Sequence, residues 1–116
     1  MEKFYRKIRI SKTRTNLQGF SLNYYITKMI VEIEGNSVLT YGISIIKNFL
    51  DEKQLIRWEK RTVNNIALRE EEIYDFAERL YKNKVTPIHL LDIAEDYVAE
   101  CEENGILRPE GLKLAC

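Results

Sequence analysis

This 116-residue chain has one histidine, two cysteines, two prolines and no net charge, and so lacks most groups whose chemistry can be read from spacing. A lone histidine, His89, excludes the usual multi-histidine metal sites. Two cysteines, Cys101 and Cys116, make no disulfide framework, and their spacing neither requires nor forbids a bridge. The five glycines stand singly, so there is no glycine-rich loop to cradle a phosphate. No apolar run approaches the roughly 18–20 residues that cross a bilayer. Met1-Glu2-Lys3-Phe4-Tyr5-Arg6 lacks the apolar stretch of a secretory signal. A cytoplasmic protein with no membrane segment is expected.

What is present is a folding pattern. The composition, 45% hydrophobic and 31% charged, is that of a globular chain, and the length suits one domain with its own core. Up to about residue 63, apolar side chains recur at every second position, as in Tyr25 to Ile33 and Leu39 to Ile45. From Ile73 onward they recur at helical spacing: Ile73, Phe76, Ala77 and Leu80, then Leu90, Leu91, Ala94, Tyr97, Val98 and Cys101. The change of period predicts an α+β domain: a three- or four-stranded antiparallel sheet followed by two C-terminal helices packed on one face. Residues 1–105 form this single domain and residues 106–116 a C-terminal tail.

Strands are expected over residues 3–10, 22–34 and 38–48 and from Ile56 to Glu59, with Thr62 to Leu68 open between strand and connection. Ser11 to Gly19 reads as a loop. Gly35-Asn36-Ser37 and Asp51-Glu52-Lys53 are turn signals. A three-residue loop at Gly35 to Ser37 sets Ile33 opposite Leu39 and Met29 opposite Ile43, gathering large apolar side chains on one face. A two-residue loop at Gly35-Asn36 gathers fewer. Gly42 inside a strand marks a bulge. The first helix is expected over Glu70 to Asn83. The second runs from Thr86-Pro87, an N-cap followed by a first-turn proline, to Asn104-Gly105.

On this register Leu22, Tyr24, Ile26, Ile30 and Ile46 point away from the helices, leaving an outer sheet face more apolar than a solvated layer should be. The N-terminal strand, the tail (Ile106, Leu107, Leu112, Leu114) or another subunit could cover it. Charge is also uneven. Residues 1–20 hold six bases against one acid, and residues 88–116 hold seven acids against two bases, so head-to-tail attraction within or between molecules is built in.

The residues offer little chemistry. His89 with Asp92 and Asp96 draws a one-helix metal site without enough ligands. The acidic clusters Glu70-Glu71-Glu72, Glu95-Asp96 and Glu102-Glu103 suit helix starts and solvated faces better than acid–base work. Hydroxyl nucleophiles lack a base. The basic first strand with Phe4, Tyr5 and Tyr24 has the composition of a nucleic-acid-binding sheet, but no RNA-binding consensus accompanies it.

The Leu39-Thr40-Tyr41-Gly42-Ile43 strand, the Val63-Asn64-Asn65-Ile66 segment and the Val85-Thr86-Pro87-Ile88-His89-Leu90 helix start resemble a group of small uncharacterised proteins of Gram-positive bacteria, a domain of unknown function. The resemblance covers roughly residues 24–98 and implies a small cytoplasmic bacterial domain without any activity to carry over. The expected function is therefore a non-enzymatic interaction or regulatory module without a cofactor. It would self-associate, as a homodimer, through Tyr24, Ile26, Ile30 and Ile46, or bind an unidentified protein. The alternative is a nucleic-acid-binding accessory protein using Lys7, Arg9, Lys12 and Arg14.

Overall fold

The computed structural model describes the backbone of residues 4–15 and 20–116, and side chains from Phe20 onward. Four strands run in chain order: β1 (Phe4–Thr15), β2 (Phe20–Ile33), β3 (Asn36–Leu50) and β4 (Ile56–Ala67). They form one antiparallel meander, β1-β2-β3-β4. Helix α1 (Glu70–Lys82), a 3₁₀ turn (Pro87–His89) and helix α2 (Leu90–Glu103) follow and pack on one face of the sheet.

The expected strands are present but longer. Ser11 to Thr15 continue β1 instead of opening a loop, with a register shift between Arg9 and Ser11. The ambiguous Thr62–Leu68 stretch is strand as far as Ala67.

The β2–β3 register corrects the expectation. Ile33 pairs with Asn36, Val31 with Val38 and Ile26 with Ile43, so the loop is the two-residue turn Glu34-Gly35. Both residues have positive φ, 51° and 81°, the requirement of the type I′ turn that matches strand twist. Strand side chains alternate between faces, so this shift by an odd number of residues turns β2 over. Leu22, Tyr24 and Ile26 therefore point toward the helices, in one core with Tyr41, Ile43, Ile45, Val63, Ile73, Phe76, Leu80 and Leu90. The Tyr24 hydroxyl donates to the Val85 carbonyl at 2.8 Å, and its ring meets Tyr81 edge-on, 6.1 Å between centroids. Burial pushes the Tyr24 phenol well above its ordinary range, and the neighbouring Tyr81 adds to the shift.

The helices end as their sequences dictate. In α2, Gly105 takes φ 82° while the Gly105 and Ile106 amides donate to the Glu102 and Cys101 carbonyls, a Schellman motif. Helix α1 ends the same way with a lysine at the strained position: Lys84 has φ 51°, and the Lys84 and Val85 amides reach the Tyr81 and Leu80 carbonyls. The start of the second helix differs from expectation. Pro87 to His89 form a 3₁₀ turn and Thr86 makes no side-chain cap. The turn carries Leu90, fully buried, into the core, while Leu91 is only half-buried.

Gly42 marks the expected bulge. The β3–β4 register slips between Tyr41 and Ile43, and a Cβ on Gly42 would collide with the Val63 carbonyl and lie 2.8 Å from Asn64 Cα. Here β4 folds over the outer face. Asn65, at φ 64°, accepts a hydrogen bond from the Thr40 hydroxyl at 2.8 Å and donates from Nδ2 to the Lys113 carbonyl at 3.0 Å. Ala115 pairs with Asn64 as an isolated antiparallel bridge. Arg108 donates to the Ile66 and Asn65 carbonyls at 2.8 and 2.6 Å. Leu112 is buried, and a Cβ on Gly111 would lie 3.8 Å from Ile33 Cγ2. Residues 106–116 contain no helix or strand, yet they are strapped across the end of the outer face nearest the Glu34-Gly35 turn. Of the covers the sequence left open, the tail supplies this one.

Candidate interaction surface

Strand length sets the site. The fifteen residues of β3 span about 50 Å at about 3.3 Å per residue, whereas the fourteen of α2 span about 21 Å. Among the described side chains of β2, β3 and β4, the core beneath the helices takes in Leu22 to Ile26, Tyr41 to Ile45 and Val63 to Ala67. Beyond that, Phe20 still packs against the rim of the core, and the sheet runs on past it as Ile46–Leu50 of β3 and Ile56–Thr62 of β4. Every described side chain there is half-buried or exposed.

Cross-strand partners share a face, so the register sorts this uncovered end. The outer face carries the pairs Leu50–Ile56, Asn48–Trp58 and Ile46–Lys60. Ile56 is 77% exposed and Trp58 66% exposed, with Leu50 and Leu55 beside them. The helix-side face carries Phe49 opposite Phe20 and Arg57, and Lys47 opposite Glu59. The Lys47 ammonium sits 4.8 Å from the Phe20 ring centroid and 5.4 Å from that of Phe49, cation–π contacts that order the edge of this face.

The hairpin tip is rigidly built. Asp51 Oδ1 accepts from the Lys53 and Leu55 amides at 2.8 and 3.0 Å, and Asp51 Oδ2 accepts from Arg57 Nε at 2.8 Å. The Asp51 amide donates to the Leu55 carbonyl, and Gln54 takes φ 63° to close the turn. The Arg57 guanidinium, with the two amides, holds the Asp51 carboxyl below its ordinary range. This end of the sheet thus presents exposed apolar groups on a backbone already ordered, the condition under which a surface binds at low entropic cost.

Of the residues singled out in the sequence, Tyr24 and Ile26 are core residues and no part of an outer surface. Ile30 also lies on the helix side but beyond the helices' reach, 37% exposed, paired with Leu39. Ile46 is half-buried on the outer face at the base of the uncovered end. Lys7, Arg9, Lys12 and Arg14 are in register with Thr27, Tyr25, Asn23 and Ser21 of β2, and their side chains lie outside the described residues. Trp58, Ile56 and Leu50 were missed. Their signal was present in the sequence, as a tryptophan and two aliphatics flanking a polar turn on strands too long for the helices to cover.

The other centres are structural. Among the described residues no three of His, Cys, Asp and Glu converge as a metal site. Cys101 and Cys116 are free thiols. Cys101 packs against the core beside Tyr97, whose hydroxyl donates to the Glu72 carbonyl at 3.2 Å. Burial, and then a hydrogen bond with Cys101, push the Tyr97 phenol up. Burial lowers the Arg108 guanidinium from its ordinary value, which leaves it protonated at neutral pH. Charge is polarised between the layers: residues 70–103 hold eleven acids against three bases, and residues 45–61 hold five bases against three acids.

Fold and surface together define a small α+β domain with an open, ordered sheet end. The chain belongs to the family of unknown function DUF6514, whose model matches residues 3–100. No curated protein and no solved structure matches it. Among the described residues no helix is long and apolar enough to cross a membrane.

Proposed function

We propose that this domain is a non-enzymatic, cytoplasmic interaction module that associates with a second copy of itself through the uncovered end of its sheet. The observation that carries this reading is the exposed row Leu50, Ile56 and Trp58 on one face of an ordered hairpin. Aromatic anchors on a rigid frame are the usual centre of a protein interface. The acidic helical layer, eleven acids against three bases over residues 70–103, supports a second copy over a polyanion, because it opposes a phosphate backbone.

Light scattering across a concentration series tests it. The wild-type chain should give the mass of a dimer that falls to monomer on dilution, and Trp58→Lys should be monomeric throughout with an unchanged unfolding midpoint. A folded Trp58→Lys variant that dimerises like the wild type would refute this surface.

A second reading has one favouring observation. Trp58 and Lys60 share a face, with Arg57 and Arg61 on the same strand, a pattern that stacks bases and holds phosphates. It predicts oligonucleotide binding lost in Arg9→Glu with Lys12→Glu, substitutions that leave the proposed dimer intact.

A further inference from the structure

We infer that the two copies join edge to edge through β4, antiparallel across a two-fold axis at Trp58, extending two four-stranded sheets into one of eight strands. This rests on the self-association proposed above and specifies its geometry.

The sheet has two edges, β1 and β4; β4, which carries the exposed row, pairs on one side with β3 alone. Only its far end is occupied, where Asn64 exchanges amide and carbonyl hydrogen bonds with Ala115 at 2.7 and 3.3 Å. That bridge shows which backbone groups face outward. Strand backbone groups alternate in direction, and the β3–β4 register runs without a shift from Ile56 to Val63. Lys60, Trp58 and Ile56 therefore direct N–H and C=O to the open edge as Asn64 does. Natural edges are blunted by proline, a bulge or charged side chains, lysine above all. Between Ile56 and Val63 this edge has no proline and no bulge; it carries Arg57, Glu59, Lys60 and Arg61, and the two that flank the tryptophan, Arg57 and Glu59, are opposite in sign and so can pair across a two-fold axis.

The opposite charges flanking Trp58 select the register. Centred on Trp58, a symmetric pair sets Arg57 opposite Glu59 of the second copy, twice, Trp58 beside Trp58, and Ile56 beside Lys60. Centring on Lys60 would set two ammonium groups face to face, and centring on Ile56 would run the pairing into the Asp51 turn. The required groups are free. Glu59 makes no ion pair among the described residues, and Arg57 uses Nε on Asp51, leaving its two terminal nitrogens for a second carboxylate. Each copy would gain hydrogen bonds at Ile56, Trp58 and Lys60, and the outer faces would merge Ile56 and Trp58 into one apolar strip.

Lys60→Pro isolates the edge, because proline removes an outward N–H while leaving the bonds to β3 in place. It should raise the dimer dissociation constant by roughly tenfold or more through the lost hydrogen bonds, whereas Lys60→Ala should leave it nearly unchanged. Glu59→Lys, which sets a lysine opposite Arg57, should weaken the dimer comparably without touching the backbone. Hydrogen exchange of the wild-type chain should slow with concentration at the amides of Ile56, Trp58 and Lys60 and stay constant at Arg57 and Glu59. A wild-type dimer lost in Trp58→Lys but kept in Lys60→Pro and Glu59→Lys, with exchange independent of concentration, would overturn the edge pairing and leave face-to-face association standing. A wild-type monomer at every concentration would overturn both.

Discussion

Gly42→Ala is the sharpest perturbation the fold offers, because it adds one methyl group where only backbone can move aside. The new Cβ would overlap the Val63 carbonyl, lie 2.7 Å from Thr27 Oγ1 and lie 2.8 Å from Asn64 Cα. Thr27 is almost fully buried and donates to Asn64 Oδ1 at 3.4 Å, so it has no empty space to enter. The overhang of β4 would have to lift, straining the Thr40–Asn65–Lys113 bonds that hold the tail. Overpacking of this kind costs about 1–3 kcal/mol, or roughly 4–12 °C in melting temperature for a domain of this size. Urea unfolding followed by circular dichroism measures it: the midpoint should fall with the slope unchanged. Gly35→Ala serves as the comparison, since a Cβ there meets nothing within 4 Å and only φ 81° opposes it, a cost of about 1 kcal/mol. A Gly42→Ala midpoint equal to wild type would refute the crossing of β4 over β3.

Glu34→Asn should stabilise the domain by a few tenths to about 1 kcal/mol in thermal melts, because asparagine accepts the positive φ that Glu34 now adopts in the type I′ turn. Leu80→Ala should cost about 2–5 kcal/mol and Leu91→Ala distinctly less in chemical denaturation, since Leu80 is fully buried and Leu91 is not. The hairpin tip should loosen in acid. The Asp51 carboxyl titrates lower in the fold than its ordinary 3.8, so its contribution is present above about pH 4 and lost as the pH falls through the lowered value. Amide exchange or chemical shifts at Lys53 and Leu55 should report that loss locally, and Asp51→Asn should abolish the transition.

The sequence made the architecture readable because each element has its own period. The helical faces of Ile73, Phe76, Ala77 and Leu80, the Gly105 end of α2 and the Gly42 bulge were all legible from spacing and from the one residue type that fits. The orientation of β2 was not. Both of its faces are apolar, Leu22, Tyr24 and Ile26 on one and Met29, Val31 and Ile33 on the other, so only the turn could decide between them. That turn uses a glutamate at positive φ, a choice that propensity disfavours. The error then carried to the candidate interface, placing two core residues on the surface. The uncovered sheet end was legible only in part. Trp58 and Ile56 are plain in the sequence, but their exposure follows from comparing strand length with helix length, and that needs the true extent of β3 and β4. The strap formed by residues 106–116 depends on Asn65 and Arg108, polar residues whose partners are main-chain carbonyls and leave no periodic trace.

The central claim is self-association through the uncovered sheet end, and sedimentation of the wild-type chain at low and at about 1 M salt tests it most directly. At the higher concentration, charges more than about 3 Å apart are screened, while burial of Ile56 and Trp58 depends on exclusion of water and persists. The account predicts a dimer at both salt concentrations, with no more than weak, salt-sensitive binding to an added mixed-sequence oligonucleotide. A monomer at both, bound tightly to the oligonucleotide at low salt, would contradict it.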